Sequence, residues 1–479
     1  MLRPDISLSR RGHARRQSWK RRWADAGLRH AGVWQLVRVM ATDSIAAPRT
    51  IRLRKTLGAA YVWLLLFMVV YCARPEDWIP GLQYLPLAKI TGGLAVVALL
   101  FALGSNRQRL PREVIYLILL FVQLWMTVPM SPVWRGGAFN TMLDFTKVLP
   151  IIITMALVVD TIKKLRWLIL VQAASVATIA AAAIWKGHQL AGRLEGALNG
   201  IYSNPNDLAF AIAISAPLCL YFLFRSRSEL AKAIWALAIL GMGYTVFLTA
   251  SRTGLIALVA AVAICLWEFA IRGRRRYLLV VAVVAGIAFW VYAGSGVRSR
   301  FGATAQSVSA EQEMAYSSAQ ERRDLLIQSL KVTAQHPLFG IGPGNFTVVS
   351  GSWHVTHNSY TQMSSEGGLL AFVLYIMIVW RGFANLAATK RLSRSAKETR
   401  VLASALRASL VAFVFGSFFA SEAYQFFPYF FVAYTTALYR ISAGQAIEKR
   451  NRNRADVNRR KAQEIQNELP ETEAVWLGY

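Results

Sequence analysis

Acidic residues are scarce in this chain: 25 Asp and Glu stand against 54 Lys and Arg in 479 residues, a formal net charge of +29. Charge of either sign is scarce as well, at 16%, while 55% of the residues are hydrophobic and the mean hydropathy is +0.37. A soluble domain carries about 25% charged residues and about 45–50% apolar ones, so a typical cytosolic enzyme and a disordered chain are both excluded. Only three cysteines occur, Cys72, Cys219 and Cys265, all inside apolar runs, which argues against a disulfide scaffold and against a thiolate metal centre. No internal repeat and no nucleotide-binding glycine loop is visible. Nor is a signal peptide, since the first apolar run starts only near residue 57 and has no small-residue cleavage site.

What the chain has in quantity is long apolar runs. A bilayer core of roughly 30 Å needs about 20 apolar residues per helix, and the sequence predicts about twelve spans, near 57–73, 86–104, 113–129, 146–160, 165–185, 207–224, 231–249, 253–271, 277–294, 367–383, 405–421 and 425–441. The second carries Lys89 near its start, and the fourth is short unless Pro150 marks an irregular entry. The expected organisation is a basic cytoplasmic tail over 1–56, nine spans over 57–294, a large periplasmic loop over 295–366, three spans over 367–441 and a cytoplasmic tail over 442–479, in which the stretch with Glu464, Glu468, Glu471 and Glu473 reads as polar and disordered. With the N-terminus inside and the spans alternating, 42 of the 54 Lys and Arg fall on the inner side. The positive-inside rule therefore predicts both termini cytoplasmic. The large positive charge is then a topology signal rather than a nucleic-acid signal. The tail cluster Arg10, Arg11, Arg15, Arg16, Lys20, Arg21, Arg22, with Trp19, Trp23 and Trp34, fits anionic lipid headgroups better than RNA.

Positive charge is depleted on the outer face, so each basic residue there needs a local reason. For Arg74, Lys89, Lys147, Lys186 and Arg298 interfacial snorkelling suffices. In the long outer loop, Leu325, Leu326, Leu330 and Ala334 recur at helical spacing and predict an amphipathic helix over 320–334, lying on the membrane or against the bundle. The run His336-Pro337-Leu338-Phe339-Gly340-Ile341-Gly342-Pro343-Gly344-Asn345-Phe346 follows. Its glycines and prolines predict a tight irregular turn, whose N–H groups could also meet a phosphate, although the Lys-Ser/Thr of a P-loop is missing. His354 and His357 are spaced for a metal, but the loop has no Cys and no Asp lies between His354 and Glu366. A single His beside Asn358 suits a general base or hydrogen-bond donor better.

Two further outer segments carry arginine. Arg193 precedes Asn204-Pro205-Asn206-Asp207, in which the Asn and Asp residues read as a helix cap. Arg252 lies between two apolar spans in Thr249-Ala250-Ser251-Arg252-Thr253-Gly254, a costly place unless it meets an anion or water. Guanidinium groups suit bidentate phosphate binding, and Arg193, Arg252 and Arg322 can converge on one anion.

These pieces, in this order, resemble the O-antigen ligase and polymerase superfamily of bacterial membrane glycosyltransferases, which includes protein O-oligosaccharyltransferases. The motifs are Gly192-Arg193 with Asn204-Pro205-Asn206, Ser251-Arg252 with Thr253-Gly254, the arginine helix ending in the glycine turn, and His357-Asn358 with Glu366 and Gly368. Arg74-Pro75-Glu76-Asp77-Trp78 resembles a family feature less specifically. The similarity runs over about 57–441 and is strongest over 190–375. The family pattern of His-Asn, nine residues, Gly, two residues and commonly Gly is met at Gly368 and departs at Ala371.

The resemblance implies an all-α, GT-C-like bundle of about 12 transmembrane helices in the bacterial inner membrane, with a large periplasmic helical loop between helices 9 and 10 and a periplasmic active site. It implies inverting transfer of a glycan from undecaprenyl-pyrophosphate to an acceptor, which is lipid A core, another glycan or a protein. Neither metal, nor nucleotide sugar, nor any other cofactor is implied. Arg193, Arg252 and Arg322, with adjacent Arg323 as the alternative, would hold the donor pyrophosphate and stabilise its leaving charge. His357 would take the acceptor's proton, with Glu195 or Glu366 as an alternative base or as the group orienting the His. Asn206, Ser251, Asn358, Gly342 and Gly344 would support the site. A transporter or flippase shares the plan of twelve helices with both termini inside, but here the charged and Gly/Pro-rich elements gather in one outer loop. A non-catalytic scaffold for polysaccharide assembly would tolerate loss of His357.

Overall fold

The computed structural model describes residues 47–77, 79, 81–103, 110–187, 189–190, 193–194, 202, 204–292, 310–351, 353–393 and 396–468. The basic tail over 1–46, Glu195 and Gly192 lie outside the described residues. Residues 47–58 belong to a separate unit from residues 59–479. The described residues are overwhelmingly helical: α1 Ala47–Ala73, α2 Leu87–Leu103, α3 Arg112–Met130, α4 Arg135–Thr146, α5 Val148–Val158, α6 Ile162–Lys186, α7 Pro205–Arg225, α8 Glu229–Leu248, α9 Arg252–Cys265, α10 Tyr277–Tyr292, α11 Ala310–Gln335, α12 Phe346–Val349, α13 Ser359–Leu392, α14 Lys397–Gly416 and α15 Phe426–Glu468. A π-helical turn, Leu266–Ile271, extends α9, and a two-residue hairpin pairs β1 Gln189–Leu190 antiparallel with β2 Arg193–Leu194.

Among the described residues, eight helical stretches are long and apolar enough to cross a membrane, counting Arg135–Val158 and Arg252–Ile271 as single stretches. Three shorter apolar helices, Leu57–Ala73, Leu87–Leu103 and Tyr277–Ala288, coincide with three more expected spans. The twelfth expected span, 425–441, is the first part of α15. The chain is thus an all-α polytopic membrane protein. Some boundaries differ from the sequence reading. The break in the fourth span falls at Lys147, between α4 and α5, and Pro150 sits within the first turn of α5, where its missing N–H has no intrahelical partner to lose. The chain stays helical from Phe426 as far as Glu468, with no proline or glycine between Gly444 and Glu468 to stop it, so Glu464 and Glu468 of the stretch expected to be disordered are helical, while Glu471 and Glu473 lie outside the described residues. The span expected at 405–421 runs from Lys397 to Gly416, and residues 417–425 form a loop.

Small residues bring the central helices together. A Cβ on Gly254 of α9 would lie 2.3 Å from Ala209 Cβ of α7, and one on Gly416 of α14 would lie 2.1 Å from the Phe210 ring. Only glycine permits this approach, a device common where helices pack in a membrane. At one end of this trio, carboxylates tie helix termini together. Glu398 meets Arg166 at 2.6 Å and Arg225 at 2.9 Å, Glu268 meets Lys390 at 2.8 Å and Arg407 at 3.0 Å, and Glu113 meets Arg381 at 3.0 Å. The candidate site is built at the opposite end.

The helix α11 docks on the first turns of α13, through a different face from the one expected. Leu325, Ser329, Val332 and Thr333 are buried, while Leu330 is 52% exposed and Ile327 42%. The inward stripe combines apolar and small polar residues because Thr333 Oγ1 and Ser364 Oγ of α13 share a hydrogen bond of 2.9 Å. Leu325 and Val332 meanwhile pack with Ile341 and Phe346 in a satellite core.

Candidate functional site

Three N-terminal helix ends and one internal break assemble the site. The first end is that of α7. Asn204 caps it, its side chain accepting from the Asn206 N–H at 2.8 Å, and Pro205 takes the first helical position. That leaves the Asn206 side chain for another task. Its Oδ1 accepts from Arg193 Nη2 at 2.8 Å and from Ser251 Oγ at 2.9 Å, while Arg193 Nε donates to the Thr249 carbonyl at 2.8 Å. Asn206 is therefore a hub that fixes the Arg193 guanidinium against the start of α9.

The second end is that of α9. Ser251 caps it through the Gly254 N–H at 3.1 Å and is fully buried. Ala250, at φ 47, turns the chain into the cap. Arg252 is the first helical residue. From α11, Arg322 reaches over, its Nη1 3.4 Å from Thr253 Oγ1. Burial and the neighbouring Arg252 both lower the proton affinity of Arg322, with Glu321 acting in the opposite sense. Two guanidinium groups within electrostatic reach of one another, one of them partly desolvated, form a place where an anion relieves repulsion. Of the two adjacent arginines in the helix, Arg322 lies on the inward side and Arg323 is exposed.

The third end is that of α13. Asn358 caps it, accepting from the N–H groups of Tyr360 at 2.9 Å and Thr361 at 3.1 Å, which fixes the residue immediately before it. That residue is His357, held at φ 51, a left-handed conformation uncommon for any residue but glycine. Burial, then the charge of Arg322, then His354 push the imidazole down to about 4. It is thus neutral at pH 7 and faces the arginine cluster. His354 Nδ1 lies 3.2 Å from Glu321 of α11.

The break is at Gly368, φ 82, inside α13. A Cβ there would lie 2.3 Å from the Leu338 carbonyl oxygen. The glycine turn inserts at this break and its N–H groups are used there. Ile341 donates to the Ser365 carbonyl at 2.9 Å, Gly342 to the Glu366 carbonyl at 2.9 Å, Gly344 to Glu366 Oε2 at 2.9 Å and Phe346 to Glu366 Oε1 at 3.3 Å, while Leu369 donates to the Pro337 carbonyl at 2.8 Å. The expected turn is present: Gly342 and Gly344 adopt φ 93 and 77 to make it, and their N–H groups are spent on Glu366. Glu366, 2% exposed with both carboxylate oxygens bonded to the turn, anchors that turn and is neither a base nor the partner of His357. Asn345 completes the weld through Ser131 Oγ at 2.8 Å and the Trp134 carbonyl at 3.0 Å.

This weld gives a stability prediction. A Cβ at Gly340 would lie 2.4 Å from the Glu366 backbone, at φ 64, whereas Gly351, also left-handed at φ 71, has open space around it. Gly340→Ala should lower the melting temperature in detergent sharply. Gly351→Ala should cost only the left-handed penalty, about 1–2 kcal/mol. Equal melting temperatures for the two variants would contradict the weld.

One acidic group at this end escaped the sequence reading. Glu422 lies in the loop between α14 and α15 and has no role in the sequence reading. It is 8% exposed, and its backbone N–H donates to Ser359 Oγ at 2.9 Å, two residues from His357. Burial, and then the carboxylate of Asp207, raise its side chain to about 8. The signal available in the sequence was a lone acid, Ser421-Glu422-Ala423, in a short outer turn flanked by aromatics.

The described residues thus form a polytopic membrane bundle in which arginines from three separate segments and His357 gather at one end. Residues 237–376 match the family model described as O-antigen ligase. The match spans Arg252, Arg322, His357 and the glycine turn. No curated protein matches the chain.

Proposed function

We propose that the protein transfers a glycan from an undecaprenyl-pyrophosphate carrier to an acceptor hydroxyl on the outer face of the bacterial inner membrane, with both termini cytoplasmic. The observation that carries this reading is the convergence of Arg193, Arg252, Arg322 and His357, drawn from distant parts of the chain, on one end of the bundle. The guanidinium groups would hold the pyrophosphate and offset the charge that builds on its oxygen as the anomeric bond breaks. The helix N-terminus at Ser251–Gly254 adds its own positive end. His357, neutral and prepositioned by the Asn358 cap, accepts the proton of the attacking hydroxyl, and inversion follows from attack opposite the leaving pyrophosphate. Depletion of Lys and Arg on the site side of the spans supports the outer location. Lipid A core is the acceptor proposed first, with a growing polysaccharide or a protein as the related acceptors of the same superfamily.

The test is transfer by purified protein in detergent, supplied with labelled undecaprenyl-pyrophosphate glycan and rough lipopolysaccharide. A glycosidic product from wild type and none from His357→Ala is expected. A transporter would yield no new bond with either protein.

A further inference from the structure

At the end of the bundle opposite the candidate site, three cations share one carboxylate. Glu268 is buried in the π-helical turn that extends α9, and its Oε1 lies 2.8 Å from Lys390 Nζ of α13, 3.0 Å from Arg407 Nη1 of α14 and 4.0 Å from Nη1 of Arg272, the residue that follows the turn. Ser404 Oγ donates to its other oxygen at 3.1 Å. Among the described residues no second carboxylate pairs with Lys390, Arg407 or Arg272, so a surplus of two positive charges stays at this place. The Arg272 and Arg407 side chains are 59% and 41% exposed, and each guanidinium carries five N–H donors, so donors remain open towards the surroundings. Those surroundings are apolar as well as charged. Trp267 and Ile271, from the same turn as Glu268, are exposed, and the Arg272 guanidinium sits 5.5 Å from the Trp267 ring centroid. A few residues on, Arg275 lies 3.9 Å over the Phe224 ring, with its Nη1 buried and without a hydrogen-bond partner.

We propose that Arg272, Lys390 and Arg407, gathered by Glu268, form a seat for the phosphate of an anionic membrane phospholipid, whose acyl chains run beside Trp267 and Ile271. Cations crowded on a single carboxylate repel one another, and an added anion relieves that repulsion. Basic pockets between membrane helices at the bilayer surface take anionic headgroups for this reason. Snorkelling brings one long side chain to the headgroup level, but it does not gather three from separate elements. A free phosphate would use the cations and leave the exposed apolar side chains bare. A phospholipid meets both, and a tryptophan beside the phosphate suits the membrane interface. The three elements of the seat also reach the candidate site with their other ends. α9 starts at Arg252, α13 starts next to its cap Asn358, and α14 ends at Gly416, beyond which the Ser417 carbonyl accepts from the Ser359 N–H at 2.8 Å. A phospholipid bridging them braces the helices that carry Arg252 and position His357. The seat stands whether or not the protein transfers glycans.

The experiment is native mass spectrometry of the full-length protein in detergent, with phosphatidylglycerol as the anionic probe and phosphatidylcholine of the same acyl chains as the neutral one. Wild type is expected to bind phosphatidylglycerol roughly tenfold more tightly than phosphatidylcholine, and its melting temperature should rise with phosphatidylglycerol only. The double variant Arg272→Gln, Arg407→Gln should lose roughly tenfold in phosphatidylglycerol affinity, and the melting shift with it. The double variant Arg454→Gln, Arg459→Gln removes the same charge from α15 and should bind as wild type does. Arg272 is the most exposed of the three cations and stands 4.0 Å from Glu268, so Arg272→Gln alone, expected to lose about threefold, decides the matter if the double variant does not fold. Equal binding of the two lipids by wild type would overturn the proposal, as would wild-type affinity in the Arg272, Arg407 variant. Displacement of phosphatidylglycerol by millimolar inorganic phosphate would overturn it too, since the cations would then serve the free anion. An equal loss in the α15 variant would reduce the effect to a general attraction of positive charge and overturn it as well.

Discussion

Replacing Arg322 with alanine is expected to reduce glycan transfer by about 100–1000-fold, the range seen when one preorganised charge partner of a transition state is removed. Donor affinity should fall less, by about 10–100-fold, as for loss of one charged hydrogen-bonding group. Rate should suffer more than binding because the pyrophosphate carries more charge on its bridging oxygen as it leaves than it does in the ground state. Arg323→Ala, one residue away on the exposed side of the helix, should leave transfer within twofold. Arg322→Lys should recover part of the loss, since the charge is restored but the planar fork is not. Initial rates with labelled donor decide the matter, and equal losses at 322 and 323 would remove Arg322 from the site.

The second large effect concerns pH. In the free protein His357 is pushed down to about 4, first by burial and then by Arg322 and His354. A pyrophosphate lying against Arg322 offsets that cation while the burial remains, so the proton affinity of His357 rises part of the way from about 4 towards its ordinary value near 6.5 when the donor binds. Binding is then coupled to proton uptake between the two values. Donor affinity should climb as pH falls from about 6.5 towards 4, by at most tenfold per unit, and should be flat above pH 7. The acid limb of kcat/KM, which reports the free enzyme, should lie near 4, and that of kcat, which reports the complex, should lie higher. Folding stability follows its own sign. The imidazole is less basic folded than unfolded, so the unfolded chain binds more protons in the same window, and the unliganded protein should lose stability as pH drops below about 6.5. Coincident acid limbs for kcat and kcat/KM would show that the donor does not neutralise Arg322. The coupling also means that His357 becomes a competent base only once a donor is seated, which restrains idle reactions in its absence.

The sequence made the helical, membrane-spanning class legible because apolar length and charge asymmetry are properties of runs of residues and survive without knowledge of packing. Arg193, Arg252, Arg322 and His357 could be singled out for a related reason, since charge beside long apolar spans is conspicuous. Side-chain partnership was not legible. Glu366 has the same spacing from His357 whether it faces a substrate or the glycine turn, and only the break at Gly368 shows that its carboxylate is used by Gly344 and Phe346. Asn206 reads as one more capping residue, and its position as the hub between Arg193 and Ser251 depends on how α7 meets α9. The inward face of α11 was misjudged because apolar periodicity marks Leu326 and Leu330, whereas docking on α13 is through Ser329 and Thr333 as well as Leu325 and Val332. Glu422 was passed over since its relation to Asp207 joins residues more than two hundred positions apart.

The last helix has a mechanical consequence. At 43 residues, α15 is about 64 Å long, roughly twice the thickness of a hydrocarbon core. Its apolar beginning fills one membrane crossing, so about 30 Å of rod remains, studded with Lys449, Arg450, Arg452, Arg454, Arg459 and Arg460. A reporter fused after Glu468 would therefore be carried on a stiff mast clear of the lipid headgroups, and a flexible linker added there would lengthen the reach without bringing the reporter closer to the bilayer.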